Sequence, residues 1–230
     1  MTIYTDNRLL SAGLIGGTAS RHYGDMREIA RQNSVYTGLS ISPEKILHFH
    51  QTHSDTIIPI LTPQDAQNFA GAPETDADAW LFTVSGWGAA IQTADCVPLF
   101  LFDEQGRAFA LAHCGWRGVV KKLPFKTAQA LKQTGRCGKI FGWLGPHIQV
   151  CCFEVQEDVA AQFSPQSLHR KNGKIFVNMN LEIIRQLQEA GLNLQDIKTP
   201  YYCTCGDEKN FFSWRRDHIR QNLLSFIYKP

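Results

Sequence analysis

Three short segments hold residues whose types suit chemistry: His50-Gln51-Thr52-His53-Ser54-Asp55, Gln92-Thr93-Ala94-Asp95-Cys96-Val97-Pro98 and Ala112-His113-Cys114-Gly115-Trp116-Arg117-Gly118. Each follows or interrupts an apolar run, so each sets polar side chains at a strand end, where a rigid scaffold can aim them into a cleft. His53, Cys96 and His113 together offer two imidazoles and one thiolate. Those donors suit zinc, and three protein ligands leave a fourth position for water or substrate. A metal-bound thiol is deprotonated, which makes Cys96 a ligand and not a free nucleophile. Other readings use the same residues. Cys96 can be the nucleophile of a Cys–His hydrolase with His113 or His53 as its base. The three can instead belong to a non-catalytic module in which Cys114 or another residue closes the coordination. Taken singly, each is also compatible with a hydrogen-bonded core histidine or a small buried thiol.

Neighbouring residues suggest supporting roles. Arg117 lies just past His113 at a helix start, where its guanidinium and exposed backbone N–H groups would hold an anion such as phosphate; a structural ion pair is the competing role. Asp95 can shuttle a proton or orient a ligand histidine, although a turn aspartate bonding its own backbone explains it more simply. Glu154 is a weaker candidate, and Cys151 and Cys152 beside it are expected in the core. Cys203-Thr204-Cys205 has metal-ligand spacing but no matching ligands near it in the sequence, so packing suffices there.

The elements that must position these residues follow from periodicity. Apolar runs rich in β-branched and aromatic residues predict strands near Ile46–Phe49, Thr56–Leu61, Ala79–Val84, Gly88–Gln92, Val97–Phe102, Phe109–His113, Ile140–Leu144 and Lys174–Val177. Pro124 suits a first helical position, with Phe125, Ala128 and Leu131 on one face and Gly135 as the stop. Asn180 is a candidate cap for a helix carrying Leu181, Ile184 and Leu187 and closed by Gly191. Ile219, Leu223 and Phe226 repeat with helical spacing near the C-terminus. Strands in the middle and helices in the last third predict an α+β fold. No linker or internal repeat divides the chain, so residues 1–230 read as one domain.

Composition narrows the function classes. The 230 residues are 43% hydrophobic and 19% charged with a formal charge of +2. No Lys/Arg run indicates a nucleic-acid surface, and the 14 Phe and 5 Trp are at a level that fills cores. The longest apolar run, Val97 to Phe102, is far too short to span a bilayer. The N-terminus lacks a secretory pattern, and seven irregularly spaced cysteines suit reduced thiols and ligands better than a disulfide framework. A cytoplasmic location is expected. The P-loop, dinucleotide fingerprint, nucleophile elbow, H-E-x-x-H, base-deaminase and C-x-x-C signatures are all absent.

The segments QTHSD, QTADCVPLFLFD, AHCGWRG, GPHIQVCCFEV and FFSWRRD resemble, in that order, the multicopper polyphenol oxidoreductase family of laccase-domain proteins. The family is also described as laccase-domain purine nucleoside phosphorylases, with one branch described as peptidoglycan editing factors. The resemblance runs from about Gly13 to Asp217 and rests on long, ordered motifs. It implies a sandwich of mixed β-sheets with helices outside. It also implies one zinc bound at the positions of His53, Cys96 and His113, and cleavage of purine nucleosides with phosphate to free base and ribose 1-phosphate. Adenosine deamination and methylthioadenosine phosphorolysis are further activities ascribed to such proteins. The implied partners are a purine nucleoside and phosphate.

Two departures stand out. Gly13-Leu14-Ile15-Gly16-Gly17 lacks the arginine that the family carries before its Gly-Gly pair, so Arg21, Arg27 or Arg31 would have to substitute if it contacts substrate. Cys114 replaces the common alanine beside the second histidine and is expected to pack into the core. The family name also suggests a copper-dependent polyphenol oxidase, with copper as the alternative cofactor. A multicopper cluster needs many histidines, and this chain has 8, with one H-x-H at His48-Phe49-His50.

Overall fold

The computed structural model describes residues 1–70, 72 and 74–230. Its centre is a six-stranded sheet in the order Ile197–Lys198, Ile140–Leu144, Val97–Asp103, Phe109–Cys114, Ala79–Phe82, Ile57–Ile60. A five-stranded sheet in the order Ile3–Tyr4, Ile15–Ala19, Leu223–Lys229, Trp87–Thr93, Ile46–Leu47 packs across it. Both are mixed: in the first Val97–Asp103 pairs antiparallel with Phe109–Cys114 and Ile57–Ile60 runs parallel to Ala79–Phe82, and in the second Trp87–Thr93 pairs antiparallel with Leu223–Lys229 and parallel with Ile46–Leu47.

Alternation along each strand builds the layers, because successive side chains point to opposite faces. Trp80, Phe82, Phe100, Phe102, Phe109 and Leu111 face inward and meet Leu47, Ala89, Ile91 and Ile227 of the other sheet. Phe82 and Phe109, directly opposite in register, stack with ring centroids 5.0 Å apart. The alternate set, Leu81, Leu99, Leu101 and Ala110, faces outward onto the helices Leu123–Gln133 and Met179–Glu189 through Leu123, Leu131, Ile183 and Leu187. On the far side, Ala90, Leu224 and Phe226 receive Val35 and Tyr36 of the helix Ile29–Gly38. The fold is α+β, a mixed β-sheet sandwich flanked by helices, as expected. Burial of Val97–Asp103 on both faces explains why it reads as a continuous apolar run.

Two expected helical features are corrected. Ile219, Leu223 and Phe226 do not share a helix: Ile219 is exposed, and Leu223–Lys229 is a strand between Ile15–Ala19 and Trp87–Thr93. Its Leu224 and Phe226 face one layer while Ile227 faces the other, a period of two that a sparse i, i+4, i+7 match concealed. The cap of the Met179–Glu189 helix is Asn178, whose side chain accepts from the Leu181 N–H, and not Asn180. Among the described residues, no helix is long and apolar enough to cross a membrane.

Candidate metal centre

Cys96 sits where the chain crosses from one sheet to the other, in the turn between Trp87–Thr93 and Val97–Asp103. Asp95 makes the corner in a left-handed conformation, φ 89°. Its carboxylate accepts from Thr204 Oγ1 at 2.6 Å, Ser213 Oγ at 3.0 Å and the Arg215 N–H at 2.7 Å. Asp95 therefore anchors the crossing to the C-terminal segment. It orients neither histidine, contrary to one of the roles considered for it.

His113 ends the Phe109–Cys114 strand opposite Pro98, which brings it beside Cys96. His53 arrives from a separate loop following His50–Gln51, itself left-handed at φ 57°. The residue that unites the two histidines is Asp78. Fully buried, it takes the His113 Nδ1–H at 2.8 Å, the His53 backbone N–H at 3.1 Å and the Ser54 hydroxyl at 2.7 Å. Burial alone would raise its carboxyl pKa, but hydrogen bonds from His113 and Ser54 outweigh burial and hold it below the usual range. Sequence reasoning missed Asp78, the last of three alternating acids, Glu74, Asp76 and Asp78, that lead into the apolar strand Ala79–Phe82.

With Nδ1 committed to Asp78, His113 presents Nε2 to the cluster. One donor atom each from His53, Cys96 and His113 lies within 4.8 Å of the others. His53 Nε2 is 3.8 Å from Cys96 Sγ, and the two imidazoles meet edge to face with centroids 4.8 Å apart. Burial opposes charge on Cys96 and His113 alike, yet their attraction prevails. The thiol is pulled down to about 6, and the imidazole, helped by Asp78, is pushed up to about 9. Gly115 completes the cradle: a Cβ there would collide with His53 Cδ2 and come within 3.4 Å of Cys96 Sγ. Among the described residues no fourth His, Cys, Asp or Glu joins this group. The neighbouring Cys114 lies in the core, where burial raises its thiol far above the usual value.

The cluster lies in a cleft of about 710 Å³ with Phe49, Trp116, Phe153 and Trp214 among its walls. Arg117, Arg215 and Arg220 also line it. Arg117 is exposed, lies over the Trp116 ring at 4.3 Å and makes no ion pair among the described residues, so the competing structural role finds no partner. The expected substitutes for the missing N-terminal arginine lie elsewhere. Arg21 donates to the Glu208 carbonyl oxygen, Arg27 pairs with Asp25, and Arg31 pairs with Glu28. Arg215 and Arg220 went unassigned in sequence, although FFSWRRD contains the first. Glu154 pairs with Lys174 and takes no part in the cleft wall. His48 packs near Tyr36 while His50 pairs with Asp76, and among the described residues only one donor cluster contains histidine.

Residues 16–228 match the family model of the multi-copper polyphenol oxidoreductase laccases. The chain belongs to that family. A purine nucleoside phosphorylase of Aquifex aeolicus is 30% identical over 185 residues, covering 80% of this chain and 82% of the relative. One of Clostridium acetobutylicum is 30% identical over 194 residues, covering 79% and 76%. The crystal structure of YlmD from Geobacillus stearothermophilus superposes with a TM-score of 0.84 at 23% identity, covering 95% of this chain and 92% of that one. YfiH from Bacillus licheniformis gives 0.83 at 22%, covering 94% and 93%. The family is named for copper, whereas the curated relatives are named for nucleoside phosphorolysis. The donors bear on that difference. One N,N,S cluster suits a single borderline cation, and a multinuclear copper centre would need histidines that this family member directs elsewhere.

Proposed function

We propose that the chain is a zinc-dependent purine nucleoside phosphorylase acting on adenosine or inosine, with adenosine deamination as a second activity. The observation that carries this reading is the three-donor cluster in a cleft also lined by Arg117, which makes no ion pair among the described residues. His53, Cys96 and His113 would hold the cation. They fit it by chemistry and by support: a thiol that ionises readily, an imidazole fixed in one tautomer by Asp78, and a glycine that leaves room beside them. A zinc with one open position supplies a Lewis acid and lowers the pKa of bound water toward about 7.

The side chains do the positioning. In phosphorolysis a phosphate oxygen bonds to the sugar C1′ as the C1′–N9 bond breaks, and the purine departs with a proton. Arg117, with Arg215 and Arg220 nearby, would hold the phosphate dianion against the nucleoside. Trp116 and Phe153 offer apolar faces for the purine. The names of the curated relatives support the choice of nucleoside and phosphate.

The test is product analysis on purified protein of measured metal content, given adenosine or inosine with and without phosphate. Base release that requires phosphate supports phosphorolysis, and inosine formed from adenosine supports deamination. Cys96→Ser is expected to abolish both. Full turnover in that variant, or the absence of both products from zinc-loaded wild type, contradicts the reading.

A further inference from the structure

Cys151 and Cys152 do not enter the core, and Cys203 is not without matching ligands. Cys151 is exposed, Cys152 and Cys203 are half-buried, and their three sulfurs lie within 4.8 Å of one another. The Cys151 and Cys152 sulfurs are 3.5 Å apart. Three of the seven cysteines thus gather at one place, from segments about 50 residues apart in sequence. None of them belongs to the His53–Cys96–His113 cluster.

The backbone that joins them is built for rigidity. His147 and Cys203 form a parallel bridge, and the Thr204 N–H donates to the His147 carbonyl at 3.0 Å. His147 is fully buried, and burial pushes its imidazole down to about 4, so it stays neutral. One ring nitrogen bonds the Gly145 carbonyl at 2.8 Å and the other meets the Gln149 amide at 3.1 Å. The Gln149 backbone N–H then points at the Cys203 sulfur, 3.4 Å away. Burial and the crowding of like acids push the Cys151 and Cys152 thiols up.

We propose that Cys151, Cys152 and Cys203 form a second metal site that takes a thiophilic d10 cation such as Zn2+, with the fourth position left to water. An all-sulfur donor set selects such ions over hard ones. Each coordinating thiol releases its proton to solvent, and no electron changes hands. Exposure of Cys151 provides the entry path. The site lies directly behind the cleft wall, since Phe153 lines the cleft and Arg215 donates to the Cys152 and Glu154 carbonyl oxygens at 3.3 and 2.7 Å.

The test uses the full chain carrying Cys96→Ser, which disables the first cluster, reduced and stripped of metal. It is titrated with Zn2+ against a chromophoric chelator. One equivalent is expected to bind, with at least a hundredfold weaker binding after adding Cys203→Ser or Cys151→Ser and no change after adding Cys137→Ser. Co2+ in the same protein is expected to give an intense near-ultraviolet sulfur-to-metal band that the Cys203→Ser change removes. The Cys151→Ser variant, altered on an exposed turn, guards against misfolding of the other. Absence of that equivalent in Cys96→Ser protein, or equal binding with and without Cys203, overturns the proposal. So does freshly isolated protein two hydrogens lighter in mass with two fewer titratable thiols, which would assign the cluster to a disulfide.

Discussion

Cys96 and His113 attract one another strongly enough to overcome the cost of burying charge, and this makes Cys96 an unusual thiol before any ligand arrives. Its pKa of about 6 implies substantial thiolate at neutral pH. In metal-stripped protein, alkylation of Cys96 by iodoacetamide is expected to rise with pH through about 6, where an ordinary cysteine responds near 8.5. Mass spectrometry of the modified peptide checks this, and zinc is expected to suppress the reaction. Asp78 acts one step further out. Asp78→Asn keeps the volume but removes the charge that sets the His113 tautomer, and a tenfold to hundredfold loss of zinc affinity is expected at the first cluster, about the usual cost of a lost carboxylate behind a ligand histidine. Unchanged affinity, measured in a Cys203→Ser background, would mean that Asp78 serves only the loop. Residue types made His53, Cys96 and His113 candidates among several readings, and the resemblance of QTHSD, QTADC and AHCGWRG to the family joined them into one metal set. Asp78 stayed hidden because its partners converge from Ser54 and His113, which only the parallel and antiparallel pairings around Ala79–Phe82 bring together.

At the scale of elements, the candidate site exists because two strand ends and one loop meet at the gap between sheets. The turn after Phe109–Cys114 illustrates the demand. Gly115 precedes the short helix Trp116–Val120, and its missing side chain leaves space for the His53 ring. Gly115→Ala has no backbone penalty at φ −64°, so its effect is expected on the site and not on the fold. Zinc affinity and turnover should fall together by tenfold or more, while the thermal midpoint of the metal-free protein stays within a few degrees. A variant that loses midpoint but keeps affinity would place the strain elsewhere. The central strands were readable because burial on both faces leaves a plain apolar run. Leu223–Lys229 was not. Three apolar residues at helical spacing matched a helix by chance, and the decisive information, hydrogen bonding to Thr93 through Trp87, lies more than 100 positions away. Arg215 and Arg220 were hidden for a similar reason, since they reach the cleft only once that strand is placed.

Across the whole molecule, the layers support the cleft from behind. Gln186 on the Met179–Glu189 helix donates to the Val119 carbonyl at 2.8 Å, bracing the helix that carries Arg117. Glu182, one turn earlier, accepts from Ser164 at 2.6 Å, Ser167 at 3.0 Å and Gln186 at 3.2 Å, and pairs with Arg185. Burial would raise the Glu182 carboxyl, but Arg185 and these donors hold it at about 2. A carboxyl depressed by folding contributes stability that is fully present above its unfolded value, about 4.3. That contribution fades as the pH falls toward 2. The thermal midpoint of wild type is therefore expected to exceed that of Glu182→Gln at pH 7, with the difference shrinking between about pH 5 and pH 2. A difference constant over that range would remove Glu182 from the account. Strand and helix periodicity foretold the α+β class and the family resemblance implied the sandwich, whereas the convergence of cysteines from distant turns stayed hidden, because no local spacing encodes it.

The most direct measurement is zinc K-edge X-ray absorption on protein loaded with one equivalent, using Cys151→Ser/Cys203→Ser so that only the first cluster reports. Two imidazole nitrogens at about 2.0–2.1 Å, one sulfur at about 2.3 Å and one further light atom from water or substrate are expected. A spectrum without sulfur, or with a second protein sulfur closing the shell, would contradict an open centre built by His53, Cys96 and His113.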